Sequence, residues 1–246
     1  MIPFSDWKAV RLQALTAPDG WLNLTDRVAI TVVPCTVGSG PDNDIRLANG
    51  PDHLGRLLPG HCFETPDGAV HPFSDYGNPM VQVDPLLLEI HTSDGQQALR
   101  VRDLTLPRDV ILRYFDTDPA WVIRARWEAL TNPQAQSIDQ KGAASTAVTV
   151  THRAHFSHQG QDVTLLATHW KSGQPMFVIR DQTSGHQTYA ASRFLLGEDV
   201  SDSHIILDFN RAHNPPCAFT DFAICPLPPR QNILPFAVQA GELSLT

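Results

Sequence analysis

The sequence predicts a mostly β protein that opens with one helix, and three observations carry that expectation. Apolar residues recur at helical spacing at the N-terminus. After Asp19-Gly20 they give way to short runs that alternate or stay continuously apolar. Turn clusters such as Gly38-Ser-Gly-Pro-Asp-Asn-Asp, Ala48-Asn-Gly-Pro-Asp and Pro66-Asp-Gly separate those runs at about strand-length intervals, as an all-β sandwich requires.

The helix comes first. Phe4, Trp7, Val10, Arg11, Leu12 and Leu15 recur at helical spacing, with Ser5, Lys8 and Arg11 facing outward, and a helix of about ten residues is expected to end near Pro18. Strands follow at Trp21-Leu-Asn-Leu and Val28 to Val33, and Pro85 to Ile90 closes the first part. The second part starts with the strand Ala98-Leu-Arg-Val-Arg-Asp and a short helix around Arg108 to Phe115. In Trp121 to Ala129 the period is two. It sets Trp121, Ile123, Ala125 and Trp127 on one face, and Arg124, Arg126 and Glu128 on the other. Further strands are expected at Thr146 to Phe156, Val163 to Trp170, Met176 to Arg180, Thr188 to Leu196 and His204 to Phe209. Strands with hairpin-length gaps imply an antiparallel barrel or strongly curved sheet. The expected domains are therefore 1–92, the N-terminal helix plus a small β-sandwich, and 93–246, an antiparallel barrel-like β domain. In the second, Asp208 to Pro229 forms a rigid, Pro-rich C-terminal brace.

Composition narrows function mainly by exclusion. With 246 residues, 42% of them hydrophobic, the chain buries a substantial core. A net charge of -8 disfavours broad attraction to nucleic acid or anionic lipid. No apolar run approaches the roughly 18 residues that span a bilayer, and the N-terminus lacks a continuous apolar stretch, so no membrane association and a cytoplasmic location are expected. Cys35, Cys62, Cys217 and Cys225 show no C-x-x-C spacing and are read as buried free thiols. The fingerprints of phosphate-loop, dinucleotide-binding, zinc-protease and serine-hydrolase sites are absent, and no cofactor is expected. His152, His155 and His158 alternate faces on a strand, so they are read as exposed strand histidines and no metal is expected.

One polar pattern stands out as a near-repeat: Arg102-Asp103-Leu-Thr105 after one strand and Arg180-Asp181-Gln-Thr183 after another. Adjacent strand residues point to opposite faces, so one member of each Arg-Asp pair must point inward, and a buried charge needs a partner. Arg193 in a third strand and Asp208, Asn210 and Arg211 after a fourth extend the set. Planar guanidinium forks suit carboxylate or phosphate ligands. The functional expectation is a pocket at the barrel end or between the domains that binds, or also turns over, a small anionic molecule. Arg100 or Arg102, Arg180, Arg193 and Arg211 hold the anion, Asp103, Asp181 and Asp208 orient them or move protons, and Asn210 completes the ligand-binding set. The structural alternative is that these pairs satisfy one another and fix turn backbones. Cys217, four residues after His213, invites a thiol-enzyme reading, whereas the surrounding prolines favour a small thiol packed in a rigid brace.

A resemblance rests on Trp7 and Arg11, Gly20-Trp-Leu, Leu99-Arg-Val-Arg-Asp, Ile179-Arg-Asp-Gln-Thr-Ser-Gly, Thr188-Tyr with Arg193-Phe-Leu, Asp208-Phe-Asn-Arg, Asn214-Pro-Pro-Cys-Ala-Phe, Cys225-Pro-Leu-Pro-Pro with Asn232, and Ala240-Gly-Glu. Through these residues the chain resembles, nearly end to end, the bacterial and archaeal family catalogued as domain of unknown function 1684. That family carries no established activity. His213 stands where the family usually has Tyr, and Ile224 where it usually has Thr, which argues against a family-wide role for an imidazole at 213. A second likeness lies in Thr36-Val-Gly-Ser-Gly-Pro-Asp-Asn-Asp-Ile-Arg-Leu, which is similar to the early core of forkhead-associated sandwiches. Those modules grip phosphate with an Arg and a later Ser-Arg-x-x-His. Here Ser39 replaces the first Arg, and only Arg56 and a displaced His61 remain. This likeness implies the alternative of a protein-interaction module working through those loops.

Overall fold

A computed structural model describes residues 2–74, 78–93 and 95–245. The chain parts into two compact units, Gln13–Asp109 and Met1–Leu12 with Val110–Thr246. The protein is mostly β with one N-terminal helix, as the sequence predicts.

Helix α1 (Phe4–Thr16) is longer than expected, and the side it buries differs. Phe4, Trp7, Lys8 and Arg11 are half-buried and Leu15 is buried, a spacing of three to four residues, while Val10 and Leu12 are exposed. Arg11 turns inward because the buried carboxylate of Glu242 faces it at 2.9 Å.

The Gln13–Asp109 unit is a sandwich of two sheets. Its strands are β1 (Leu24–Ala29), β2 (Cys35–Gly38), β3 (Ile45–Arg46), β4 (Gly55–Leu58), β5 (Cys62–Glu64), β6 (Val70–Pro72), β7 (Met80–Val83), β8 (Leu86–Ser93) and β9 (Gln96–Asp103). One sheet runs β1-β9-β8-β7 and the other β3-β2-β4-β5-β6. Val37, Leu57 and Phe63 from the second meet Leu88, Leu99 and Val101 from the first in one apolar cluster, the interleaving that joins two sheets face to face. The expected domain boundary at 92/93 falls inside the β8–β9 hairpin, where Leu86 to Ser93 pair with Gln96 to Asp103, so the units part elsewhere.

The other unit is built on a single curled sheet. Its strands are β10 (Val122–Lys141), β11 (Ala143–His158), β12 (Gln161–Leu166), β13 (His169–Lys171), β14 (Gln174–Ile179), β15 (Arg193–Glu198), β16 (His204–Asp208) and β17 (Cys225–Pro226). The order is β12-β11-β10-β16-β15-β14-β13, with β17 pairing the far end of β10. Trp121, Ala125 and Trp127 are buried on the predicted face and pack with Phe177, Leu195, Leu207 and Phe236. The sheet curls into a half-barrel. Asn232 spans its open side: it accepts from Leu166 N at 2.7 Å and donates to Leu166 O and Val178 O at 3.0 Å each. β12 and β14, which do not pair directly, thus share one side chain as though it were a strand.

Several expected elements differ: Trp21 to Asn23 form a turn and only Leu24 joins a strand, and the strand expected at Val28 to Val33 ends at Ala29. The helix at Arg108 to Phe115 is absent. Tertiary pairing overrides its local pattern: Tyr114 bridges Glu242, Phe115 N donates to Gly241 O, and Leu243 N to Arg113 O. The expected strand Thr188 to Leu196 begins only at Arg193, because Thr188 closes a turn with Thr183 and Ser184. Gly241 carries a positive φ of 84°, and a Cβ there would lie 2.4 Å from Ala212 O, so the Ala240-Gly-Glu segment requires glycine.

Candidate functional site

The two Arg-Asp-x-Thr segments share one local geometry. Asp103 accepts from Thr105 N at 2.8 Å and Thr105 Oγ1 at 2.6 Å, and Asp181 accepts from Thr183 N and Oγ1 at the same two distances. The motif is a side-chain-capped turn that ends a strand. Its pleat polarity is reversed between copies. In the first, Arg102 points inward and Asp103 is half-buried; in the second, Asp181 points inward and Arg180 is exposed.

Most of the expected anion-binding residues already hold partners of their own. Arg102 belongs, with Asp103, to the sandwich unit, where it pairs with Glu89 at 2.6 Å and donates to Gly20 O at 2.8 Å. Arg100 shares Glu89 at 3.2 Å. Arg193 donates to Asp181 Oδ2 at 2.8 Å and to Val238 O and Ala240 O. Asp208 accepts from Asn210 and pairs with Arg211 Nε at 3.0 Å, and Arg211 also reaches Glu198 at 2.9 Å. Asn210 holds Asp118 through both its amide atoms, at 3.1 Å each. These residues are buried and each is paired inside the fold, the structural alternative that the sequence left open.

Arg180 is the exception. It is exposed, and among the described residues no carboxylate pairs with it. It lines a cleft of about 620 Å³ with Asp139, Lys141, Tyr189, Leu227, Pro228 and Ile233. Three local structures build this cleft. Lys141 sits in the tight β10–β11 turn before Gly142, which carries a positive φ of 86°. Arg180 follows β14 and bridges the backbone of Ile233. Tyr189 projects from the Thr183–Thr188 turn, whose Thr hydroxyls bond each other at 2.9 Å. Lys141 Nζ donates to Tyr189 Oη at 2.9 Å, and that bond raises the lysine's pKa. The cleft thus combines two cations, a phenol and an apolar floor.

Cys217 lies just behind this wall. Tyr189 Oη donates to Cys217 O at 2.7 Å, and Lys141 Nζ reaches the same carbonyl at 3.2 Å. Cys217 is buried, and all four cysteines are free thiols.

Other candidates resolve into structure. His213 is buried, donates through Nδ1 to Arg211 O at 3.1 Å, and is held neutral: desolvation, with Arg11 adding repulsion, depresses its pKa to about 3. Two of the histidines taken as exposed are stacked, His152 on Trp127 at 4.9 Å and His158 on Trp121 at 4.5 Å. His155 bonds Glu128 at 2.9 Å on the opposite face. All three are half-buried because the neighbouring indoles and Glu128 cover them. In the sandwich loops, Ser39 donates to Gly50 O at 2.8 Å and Arg56 pairs with Glu64 at 3.2 Å. His61 turns toward Gln97. Among the described residues no helix is long and apolar enough to cross a membrane.

Lys141 and Tyr189 were missed as candidates. A signal pointed to each: lysine occurs only at positions 8, 141 and 171, against fifteen arginines, and Thr188-Tyr189 is one of the segments that carry the family resemblance.

The family model described as protein of unknown function (DUF1684) matches residues 110–243, which include every residue of the cleft. The sandwich unit lies outside that match. The solution NMR structure of an uncharacterized protein from Haloarcula marismortui is 33% identical. The match covers 54% of this chain and 75% of that one, with a TM-score of 0.44. No curated protein matches.

Proposed function

The chain belongs to the family of proteins of unknown function DUF1684, and from that premise we propose that it binds a small organic anion with an apolar portion in the cleft of Arg180, Lys141 and Tyr189. The observation that carries this reading is the exposed, unpaired guanidinium of Arg180 on the same concave wall as Lys141. Every other arginine of the expected anion set is paired with a carboxylate inside the fold. An exposed Arg fork beside an ammonium suits a carboxylate or a phosphate monoester. Ala190, Ala191, Leu227, Pro228 and Ile233 supply apolar surface for the remainder of the ligand, and the volume fits a metabolite-sized guest. Asp139, which accepts from Ser145 at 2.7 Å, adds a carboxylate to the rim and disfavours ligands carrying several negative charges.

The test is a thermal-shift panel of phosphate monoesters, dicarboxylates and medium-chain carboxylates. The expected result is stabilisation of the wild type by at least one class and loss of that stabilisation in Arg180→Ala. A panel that leaves the wild type unmoved removes the proposal. We also place the protein in the cytoplasm, a reading that its four free thiols support.

A forkhead-associated-like interaction role for the sandwich unit is the lesser reading. The two-sheet sandwich favours it. The pairing of Arg56 with Glu64, and the acidic Asp42 and Asp52 beside Asn43 and His53 in the loops, oppose phosphate there. Phosphopeptide-array signal that disappears in Arg56→Ala would restore it.

A further inference from the structure

Cys217 and Cys225 are brought together by two independent constraints. Cys225 is held in β17, where it pairs with Lys141 of β10. Cys217 sits in a tight turn behind Pro215-Pro216, and its backbone N–H donates to Cys225 Sγ at 3.2 Å. The Tyr189 hydroxyl, whose proton goes to Cys217 O, also lies 3.7 Å from Cys217 Sγ. The two thiols are near enough to split their acidities: the Cys225 thiol is driven up, chiefly by its neighbour Cys217 and by burial. The neighbouring Cys225 thiol, helped by Tyr189 and Lys141, lowers Cys217 to about 7. Two adjacent thiols of unequal acidity, held together by the Cys217 N–H to Cys225 Sγ contact, supply the attacking and resolving partners that a dithiol centre requires. Nothing in the anion-binding reading uses either sulfur.

We propose that Cys217 and Cys225 form a two-electron redox centre that reduces a hydroperoxide and closes to a reversible disulfide. The Cys217 thiolate attacks the terminal oxygen of the hydroperoxide and the O–O bond breaks. The leaving oxygen takes a proton and departs as water or an alcohol, and Cys217 becomes a sulfenic acid. The Cys225 sulfur then attacks the Cys217 sulfur, the S–O bond breaks, and its oxygen leaves as water with the Cys225 proton. Two thiols are oxidised to one disulfide and one hydroperoxide is reduced. An external thiol returns the pair to the reduced state. Cys217 is only 4% exposed, so the oxidant must be small, and the Tyr189 hydroxyl on the cleft wall marks the nearest approach.

This proposal does not rest on anion binding, because its readout is the mass of the native full-length chain. After brief exposure to hydrogen peroxide and quenching, the expected product is lighter by about 2 Da, the two thiol hydrogens. Peptide mapping should place the link between Cys217 and Cys225, and reduction should reverse it. In Cys225→Ser, a dione probe should label Cys217 as sulfenic acid, and in Cys217→Ser no Cys225 label should form. A wild-type mass that does not change in the native state overturns the proposal, as does a map that places oxidation at half-buried Cys62 alone. The wild-type measurement decides even if a serine variant fails to fold.

Discussion

Arg193 and Asp181 pair at 2.8 Å with side chains only 1% and 0% exposed, whereas Arg180, one residue before Asp181, is exposed. The pleat sends adjacent residues to opposite faces, and here it separates a structural cation from a free one. Removing one partner of a buried pair leaves the other charge uncompensated. Arg193→Met is therefore expected to cost about 3–5 kcal/mol. Arg180→Ala should stay within about 0.5 kcal/mol of the wild type. Urea unfolding of the two variants checks the contrast, and equal losses would contradict it.

Asn232 joins β12 to β14 through three buried hydrogen bonds. Asn232→Ala leaves two backbone carbonyls and one N–H without partners, at about 1–3 kcal/mol for each buried group left unsatisfied. The expected outcome is a loss of several kcal/mol, with hydrogen exchange accelerating first at Leu166 and its neighbours. A variant as stable as the wild type would show that water replaces the amide freely.

The two capped turns provide a matched pair. Thr183→Val removes a hydroxyl bonded to buried Asp181 and to Thr188, whereas Thr105→Val removes one bonded to half-buried Asp103. The first should cost about 1–3 kcal/mol and the second well under 1 kcal/mol, since only the buried acceptor is cut off from water. Thermal denaturation of both variants measures the difference.

His213 sets a pH dependence. Its folded pKa is depressed to about 3, against about 6.5 in an unfolded chain, so between those values the unfolded state binds a proton that the folded state refuses. The contribution is absent as a penalty above about pH 6.5, and stability falls as pH drops toward 3. His213→Phe should flatten this decline by up to about 1.4 kcal/mol per pH unit, relative to the wild type. Parallel slopes for the two proteins would contradict the assignment.

The fold was legible where periodicity was strong. Trp121 to Trp127 alternates cleanly and lies buried as expected, because one face meets the core and the other meets solvent. The Arg108 to Phe115 helix failed because backbone pairing with Gly241 to Leu243, more than one hundred residues away, cannot be read locally. The candidate site was only partly legible. Sequence alternation showed that one of Arg180 and Asp181 points inward but not which one, since that depends on Arg193 arriving from β15. The family-motif asparagines proved to be backbone clamps, with Asn210 on Asp118, Asn214 on Leu243 and Asn232 on Leu166. Lys141 joins the site only through the curl that carries the end of β10 to the Tyr189 turn.

The most direct test of anion binding is a calorimetric titration of the strongest carboxylate or phosphate ester from the thermal-shift panel. It should be run against the wild type, Arg180→Ala, Lys141→Ala and Arg124→Ala, the last an exposed arginine of β10 that does not line the cleft. Loss of one charged contact of about 1.5–3 kcal/mol predicts a weakening of roughly 10- to 100-fold in each cleft variant and none in Arg124→Ala. Equal affinity in all four proteins would place the anion elsewhere and contradict the account.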